Sequence, residues 1–301
     1  MNYFRFLILG IVLATLGFMG VGCSNNGDLQ VDPTELATPV DAKATQTQIP
    51  LPTSTFSPTE TKLPLPTLIA TGEPSPTPVL IKIGPGPIKC PILLYHRIVP
   101  GQLSNPYNLS PQEFERQMTY LYENGYNTIT INQLRQAIVY GAELPENPIV
   151  ISFDDGDISV YKNALPILEK YNFVGVAYLV STYLETPGYM KYRQVNELIK
   201  SGWEIGSHSA RHQDLSESAY LDTEIIGSKA DLEKYLEIEI NSFAYPFGKY
   251  NESAMKKVSE WYSNAVGLGA STTQKESNLF YLWRRPIDNG TTLEQFIGFL
   301  Q

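Results

Sequence analysis

The side chains of this chain that could do chemistry are acidic and histidine residues placed directly after apolar runs. Residues 149–153 read Ile-Val-Ile-Ser-Phe, a run typical of a buried strand, and Asp154, Asp155 and Gly156 follow at once. Neighbouring carboxylates repel each other, which favours a bound cation or different roles for the two groups. The pair therefore indicates a metal and a general base. The alternative is a strand-end turn in which Asp caps the next helix and Gly supplies a positive φ.

The histidines supply the matching ligands. The chain has three, and His208 and His212 lie four residues apart, so both imidazoles can turn to one point. Two nitrogen ligands and one carboxylate, with open positions for water, are typical of a catalytic zinc site. We therefore predict Asp155, His208 and His212 as ligands of a divalent metal, zinc in the first place, with cobalt or nickel as alternatives. Two unrelated surface histidines are the competing interpretation.

Strand-like and helix-like segments alternate through the region that must position these residues. The predicted strands are 92–96, 128–131, 149–153, 173–179, 203–208, 241–245 and 265–268. The predicted helices are one starting after Ser110 and those at 133–140, 160–171, 194–200, 217–236, 252–262 and 292–300. This alternation favours a mostly parallel sheet with helices outside, and the number of units favours a barrel or incomplete barrel. The carboxyl ends of barrel strands meet at one rim, where we expect His96, Asp154, Asp155, His208 and Tyr245.

The front of the chain has a different composition. Residues 1–22 have the layout of a signal peptide, and the residues around Cys23 resemble a bacterial lipobox, which predicts lipid attachment at Cys23. An uncleaved anchor or a plain secretory signal is the alternative. Residues 23–88 are rich in Pro and Thr and predict a disordered linker, which leaves 89–301 as one domain. The formal net charge of −9 argues against nucleic acid or an anionic lipid surface as the main partner.

Three motifs resemble those of one family, the polysaccharide deacetylases, also called the NodB-homology domain or carbohydrate esterase family four. They are residues 152–156 (Ser-Phe-Asp-Asp-Gly), 208–212 (His-Ser-Ala-Arg-His) and 243–248 (Phe-Ala-Tyr-Pro-Phe-Gly). The resemblance covers about residues 90 to 300. It implies an α/β fold, a distorted (β/α) barrel of about seven strands, a divalent metal, and removal of acetyl groups, mostly from N-acetylglucosamine. It also implies that Asp154 is the general base and Asp155 a metal ligand.

Two features depart from the family pattern. Ala244 occupies the position of an arginine that usually holds the base, so Arg284 or Arg285 is a candidate replacement. No histidine follows His212 to supply the general acid. However, the sequence Leu-Tyr-His ending at His96 resembles the subgroup that acts on poly-β-1,6-N-acetylglucosamine, in which the acid histidine comes first. That resemblance implies His96 as the general acid.

The expected function is a metal-dependent de-N-acetylase of an N-acetylglucosamine polymer, exported and held at the membrane by a lipid. Donors are needed for the tetrahedral oxyanion, and we expect the backbone N–H of Phe247 to provide one, with Tyr245 and Pro246 beside it. The aromatic rings of Tyr245, Phe247 and Trp283 are candidates for stacking on sugar rings. Two alternatives remain open: a non-catalytic glycan-binding module derived from such an enzyme, and an O-acetyl esterase acting on xylan or peptidoglycan.

Overall fold

The structure is a computed structural model that describes residues 79–101 and 104–301. The predicted signal peptide, Cys23 and residues 23–78 of the predicted linker lie outside the described residues. Within the described part, no helix combines the length and the apolar character needed to cross a membrane. Regular structure begins earlier than residue 89, because a strand at Leu80–Ile83 pairs antiparallel with one at Ala142–Pro145. Residues 80–83 and 88, which were predicted to belong to the linker, therefore lie in strands.

The described residues form short strands and helices in alternation. The strands are β1 (Leu80–Ile83), β2 (Ile88–Lys89), β3 (Ile92–Tyr95), β4 (Arg97–Ile98), β5 (Asn108–Leu109), β6 (Asn127–Thr128), β7 (Ala142–Pro145), β8 (Pro148–Phe153), β9 (Val176–Leu179), β10 (Glu204–Ser207), β11 (Ser242–Ala244), β12 (Asn264–Leu268), β13 (Thr273–Gln274) and β14 (Leu282–Pro286). The α-helices are α1 (Pro111–Glu123), α2 (Ile131–Tyr140), α3 (Leu165–Lys170), α4 (Tyr192–Lys200), α5 (Ser228–Leu236), α6 (Glu252–Trp261) and α7 (Leu293–Phe299).

Seven parallel strands close into a barrel. Their order around the ring is β3, β14, β12, β11, β10, β9 and β8, and β8 pairs with β3 to close it. Every pairing in the ring is parallel, and β6 adds a short parallel pairing to β8 outside the ring. Parallel neighbours require crossover connections, which the intervening helices provide. The predicted α/β barrel of about seven strands is confirmed.

The strands that form the ring differ from the predicted set at two places. The segment 128–131 contributes only β6, because the Thr130 side chain accepts a hydrogen bond from Gln133 N–H and begins α2 at Ile131. The seventh ring strand is instead β14, which was not among the predicted strands. The predicted helices 160–171 and 217–236 each begin with a π-type turn, at Val160–Ala164 and Asp222–Gly227.

Side-chain alternation along the strands separates two apolar clusters. Outward-facing residues such as Ile151, Phe153 and Phe243 pack against the surrounding helices. Inward-facing residues such as Val150 and Val266 fill the barrel and continue into α2, which packs at the amino ends of the strands. Apolar side chains therefore fill the barrel at the amino ends of the strands, and the polar site lies at the carboxyl ends.

Candidate active site

The two aspartates at the end of β8 differ in how deeply they are buried. All six residues of β8 are buried, and the chain then turns sharply because Asp155 (φ 73°) and Gly156 (φ 82°) both adopt left-handed conformations. Asp is among the few non-glycine residues that visit this region readily. Both carboxylates line one cavity, but the Asp154 side chain is 3% exposed and the Asp155 side chain is 19% exposed. The turn thus gives two adjacent carboxylates different environments.

Asp154 is paired with a buried arginine from β14. Arg284 Nη1 donates to Asp154 Oδ1 at 2.6 Å and Nη2 donates to Oδ2 at 2.8 Å. The Arg284 side chain is 1% exposed, and its Nε donates to Gly267 O. Burial would raise the pKa of the Asp154 carboxyl, but the charge of Arg284, with help from His208, lowers that pKa to about 2. Asp154 is therefore ionised at neutral pH.

The other candidate arginine is placed elsewhere. Arg285 Nη2 donates to Ala270 O, and its guanidinium lies over the ring of Phe299. Arg284 thus provides the guanidinium that the sequence lacks at Ala244. Ala244 itself has another role, since its carbonyl oxygen lies 2.9 Å from His208 Nδ1.

Asp155, His208 and His212 bring three ligand atoms within 4.8 Å of one another. Asp155 Oδ1 lies 3.8 Å from His208 Nε2 and 3.5 Å from His212 Nε2. Donation from His208 Nδ1 to Ala244 O fixes the tautomer in which Nε2 keeps its lone pair. Burial lowers the pKa of His208, partly opposed by Asp154, which favours the neutral, ligating form.

His96 follows β3, the ring neighbour of β8, and lines the same cavity. Its Nδ1 is buried and makes no hydrogen bond to any described residue. Burial lowers the pKa of His96, while the charges of Asp154 and Asp155 oppose that shift. The ring of Tyr107 lies against His96, with centroids 4.6 Å apart. His96 is thus a titratable group in the same cavity as the two carboxylates.

One cavity of about 380 Å³ joins these groups. Of the predicted site residues it is lined by His96, Asp154, Asp155, His208, His212, Tyr245 and Phe247, together with Arg284 and Tyr107. Phe247 is 54% exposed and its ring packs on His212 at 4.5 Å between centroids. It therefore lies at the rim and contacts one of the predicted ligands.

Three of the predicted contact residues do not offer an exposed side chain to this cavity. Pro246 is buried in the turn after β11 and is not among the lining residues. The Tyr245 ring is buried against Tyr250 and Tyr281, and its hydroxyl makes no hydrogen bond to a described residue. Trp283 lines a separate groove with Tyr250 and Tyr281. Of the three predicted sugar-stacking rings, Phe247 alone offers an exposed face to this cavity.

A barrel with an arginine-held carboxylate beside an Asp-His-His cluster at its mouth has the groups that a hydrolase site needs, and the cluster is of a kind that could hold a metal ion. The sequence profile described as "Polysaccharide deacetylase" matches residues 141–266. The protein YxkH of Bacillus subtilis is 26% identical over 218 residues, which are 71% of this chain and 77% of that protein. The crystal structure of a polysaccharide deacetylase from Bacillus cereus superposes with a TM-score of 0.65 at 27% identity, over 71% of this chain and 70% of that one. In sequence profile, relatives and fold, the chain is similar to polysaccharide deacetylases.

A relative whose name states a substrate is also similar. The poly-β-1,6-N-acetyl-D-glucosamine N-deacetylase of Staphylococcus epidermidis is 24% identical over 185 residues, which are 56% of this chain and 63% of that protein. The aligned part thus falls short of two thirds of that relative's length.

Proposed function

We propose that this protein is a metal-dependent hydrolase that removes N-acetyl groups from a polymer of N-acetylglucosamine outside the cell. The observation that carries the proposal is the placement of the ionised Asp154 beside the Asp155, His208 and His212 cluster in one cavity. The staphylococcal relative is named as acting on the β-1,6-linked polymer, which makes that linkage the first candidate.

The ligand atoms of Asp155, His208 and His212 fit a divalent ion such as zinc. Ligands around a tetrahedral ion with bonds near 2.05 Å lie about 3.3 Å apart, close to the 3.5 and 3.8 Å separations of Asp155 Oδ1 from the two Nε2 atoms. Two imidazoles and one carboxylate are a donor set found in catalytic zinc sites, which keep a position open. An ion held there supplies Lewis acidity, which makes a water more acidic and polarises a carbonyl.

Asp154 is assigned as the general base. A carboxylate offers about four acceptor positions, and Arg284 uses two of them, so a lone pair remains to accept a proton from the attacking water. Because the guanidinium holds the carboxylate in one orientation, the base is positioned before the substrate arrives. Arg284 is therefore a positioning residue, acting through Asp154.

His96 is assigned as the general acid. An amine is a poor leaving group as an anion, so the amide nitrogen must gain a proton as the C–N bond breaks. His96 lines the same cavity as the aspartates, and although burial lowers its pKa, the charges of Asp154 and Asp155 oppose that shift and so support its protonation. The backbone N–H of Phe247, in the turn after β11, is assigned to the oxyanion.

The location of the enzyme is proposed from the sequence alone. Residues 1–22 with Cys23 are assigned as an export signal with lipid attachment, and the Pro/Thr-rich linker as a spacer between membrane and barrel. This arrangement would present the cavity to a polysaccharide at the outer surface.

The proposal is tested by following acetate release from three substrates in parallel: β-1,6-linked N-acetylglucosamine oligomers, β-1,4-linked oligomers and acetylated xylan. The protein is stripped of metal with a chelator and reloaded with zinc, cobalt or nickel. We expect metal-dependent release from the β-1,6-linked oligomers. Release from xylan alone would make the protein an O-acetyl esterase, and no release from any substrate would make it a glycan-binding module.

A further inference from the structure

The four-residue connection 209–212 determines where His212 stands relative to His208. All four of its backbone N–H groups have a named acceptor. Ser209 N–H donates to Ser207 Oγ and His212 N–H to Ser209 Oγ. Ala210 N–H donates to the Glu224 carbonyl and Arg211 N–H to Glu224 Oε2 at 2.8 Å. Half of these bonds therefore end on one residue outside the loop, and one ends on an ionisable side chain.

The backbone conformation of this loop needs such support. Ser209 (φ 66°) and His212 (φ 57°) both lie in the left-handed region, which costs a non-glycine residue on the order of 1 kcal/mol or more. Such conformations persist where surrounding contacts fix them. Because His212 is itself in the strained conformation, loss of a loop contact would let its imidazole move away from Asp155 Oδ1.

Glu224 is an unusual residue to find in this position. It is 0% exposed, and its second oxygen, Oε1, makes no hydrogen bond to a described residue. The nearest cation is Arg211, whose Nε lies 3.8 Å from Oε1 and whose side chain is half-exposed. Burying a carboxylate with so few partners is costly. Because burial of the Glu224 carboxylate costs free energy, stabilisation of the fold is a poor explanation for its presence there.

The helix that carries Glu224 is locally deformed. Glu224 lies within the π-type turn Asp222–Gly227 that precedes α5. Single π-type turns occur frequently at functional sites, because they redirect a side chain that a regular helix would place elsewhere. Here the deformation accompanies a side chain that reaches the loop between two predicted ligands.

We propose that Glu224 is a positioning residue that sets the metal affinity of the site by holding the 209–212 loop through Arg211 N–H. The proposal rests on the function proposed above, in which His208 and His212 are ligands. Partners outside the ligand set commonly contribute 10- to 100-fold to metal affinity, so we expect an effect of about that size when the Glu224 acceptor is removed.

The experiment compares side chains of similar volume in the full-length protein. Glu224→Met removes the acceptor, whereas Glu224→Gln keeps an oxygen that can accept from Arg211 N–H. Arg211→Ala removes the guanidinium but keeps the N–H, so it separates the backbone contact from the ion pair. Each metal-free protein is titrated with Co²⁺ against a competing chelator, and the visible Co²⁺ spectrum reports the geometry of the ligands.

We expect Glu224→Met to weaken Co²⁺ binding by about 10- to 100-fold and to change the spectrum, with Glu224→Gln and Arg211→Ala close to wild type. Wild-type affinity in Glu224→Met, or an equal loss in Arg211→Ala, would overturn the inference while leaving the proposed function intact. Absence of Co²⁺ binding in the wild type would contradict the metal site itself. If Glu224→Met does not fold, Glu224→Asp withdraws the carboxylate by one methylene and is judged by the same outcomes.

Discussion

Replacing Arg284 with methionine should convert the stabilising Asp154 carboxylate into a destabilising one. Methionine approximates the length of the arginine stem but supplies neither the charge nor the two hydrogen bonds at 2.6 and 2.8 Å. Breaking a buried ion pair by removing one partner costs about 3–5 kcal/mol, because the remaining charge is left without compensation. We expect a loss of that size in the free energy of unfolding at pH 7.

The pH dependence of stability should also change sign. In the wild type, the Asp154 pKa of about 2 is below its ordinary value of 3.8. At pH values above 3.8 the ionised carboxylate therefore contributes about 2 kcal/mol to the free energy of unfolding. This contribution is lost as the pH falls towards 2. In Arg284→Met, only the weaker influence of His208 and His96 opposes burial, and we expect the Asp154 pKa to rise above the unfolded value. The variant should therefore gain relative stability as the pH falls through that raised pKa.

The assays are urea unfolding at pH 7 and pH 4, with acetate release measured on the same preparations. Arg285→Met is the matched control, because Arg285 contacts Ala270 O and Phe299 and does not pair with Asp154. A second variant, Ala244→Arg combined with Arg284→Met, returns a guanidinium to the motif position and should recover part of the activity. If Arg284→Met has the stability and pH dependence of Arg285→Met, the buried pair does not stabilise the folded protein.

Three further predictions concern other parts of the structure. His208→Ala should lose both bound metal, measured by elemental analysis, and activity; retained stoichiometric metal would remove His208 from the ligand set. His96→Gln should slow amide cleavage by about 10²- to 10⁴-fold but affect p-nitrophenyl acetate much less, because that leaving group needs no proton; equal losses would contradict its acid role. Burial raises the pKa of Glu204 to about 7 from an ordinary 4.5, so the wild type should lose stability relative to Glu204→Gln as the pH rises from about 4.5 to 7. The shift should be on the order of 1–3 kcal/mol in urea unfolding, and a pH-independent difference would refute it.

The site was predictable where its residues are close in the sequence. Asp154 and Asp155 are adjacent, and His208 and His212 are four residues apart, so composition and spacing alone indicate a joint role. The barrel rule then brings different strand ends to one rim, and the structure does place His96, Asp154 and His208 around one cavity.

Arg284, the partner of Asp154, was less predictable, because it lies on β14, which the sequence pattern did not indicate as a strand. Residues 282–286 read Leu-Trp-Arg-Arg-Pro, and two charges followed by a proline resemble a surface segment rather than a barrel strand. Arg284 can nevertheless face the interior because Asp154 neutralises it there. Neither residue signals the pairing by itself, since they are 130 positions apart.

Local conformation was the other source of error. The Thr130 cap begins α2 within the segment that was predicted as a strand. The β-branched residues of that segment favour a strand, and this signal hid the capacity of Thr130 to cap a helix. The π-type turn that holds Glu224 has no composition of its own. Its contact with Arg211 N–H depends on the folded path of both segments, and no pattern in either segment indicates it.

The role of Asp154 as the base is tested by comparing acetate release from β-1,6-linked N-acetylglucosamine oligomers by the wild type and by Asp154→Asn, after both proteins have been loaded with zinc and their metal content has been measured. We expect full zinc occupancy in both proteins and a rate at least about 10²-fold lower in Asp154→Asn, because the amide cannot accept the proton from water. A wild-type rate in Asp154→Asn at equal zinc content would contradict the assignment of Asp154 as the base.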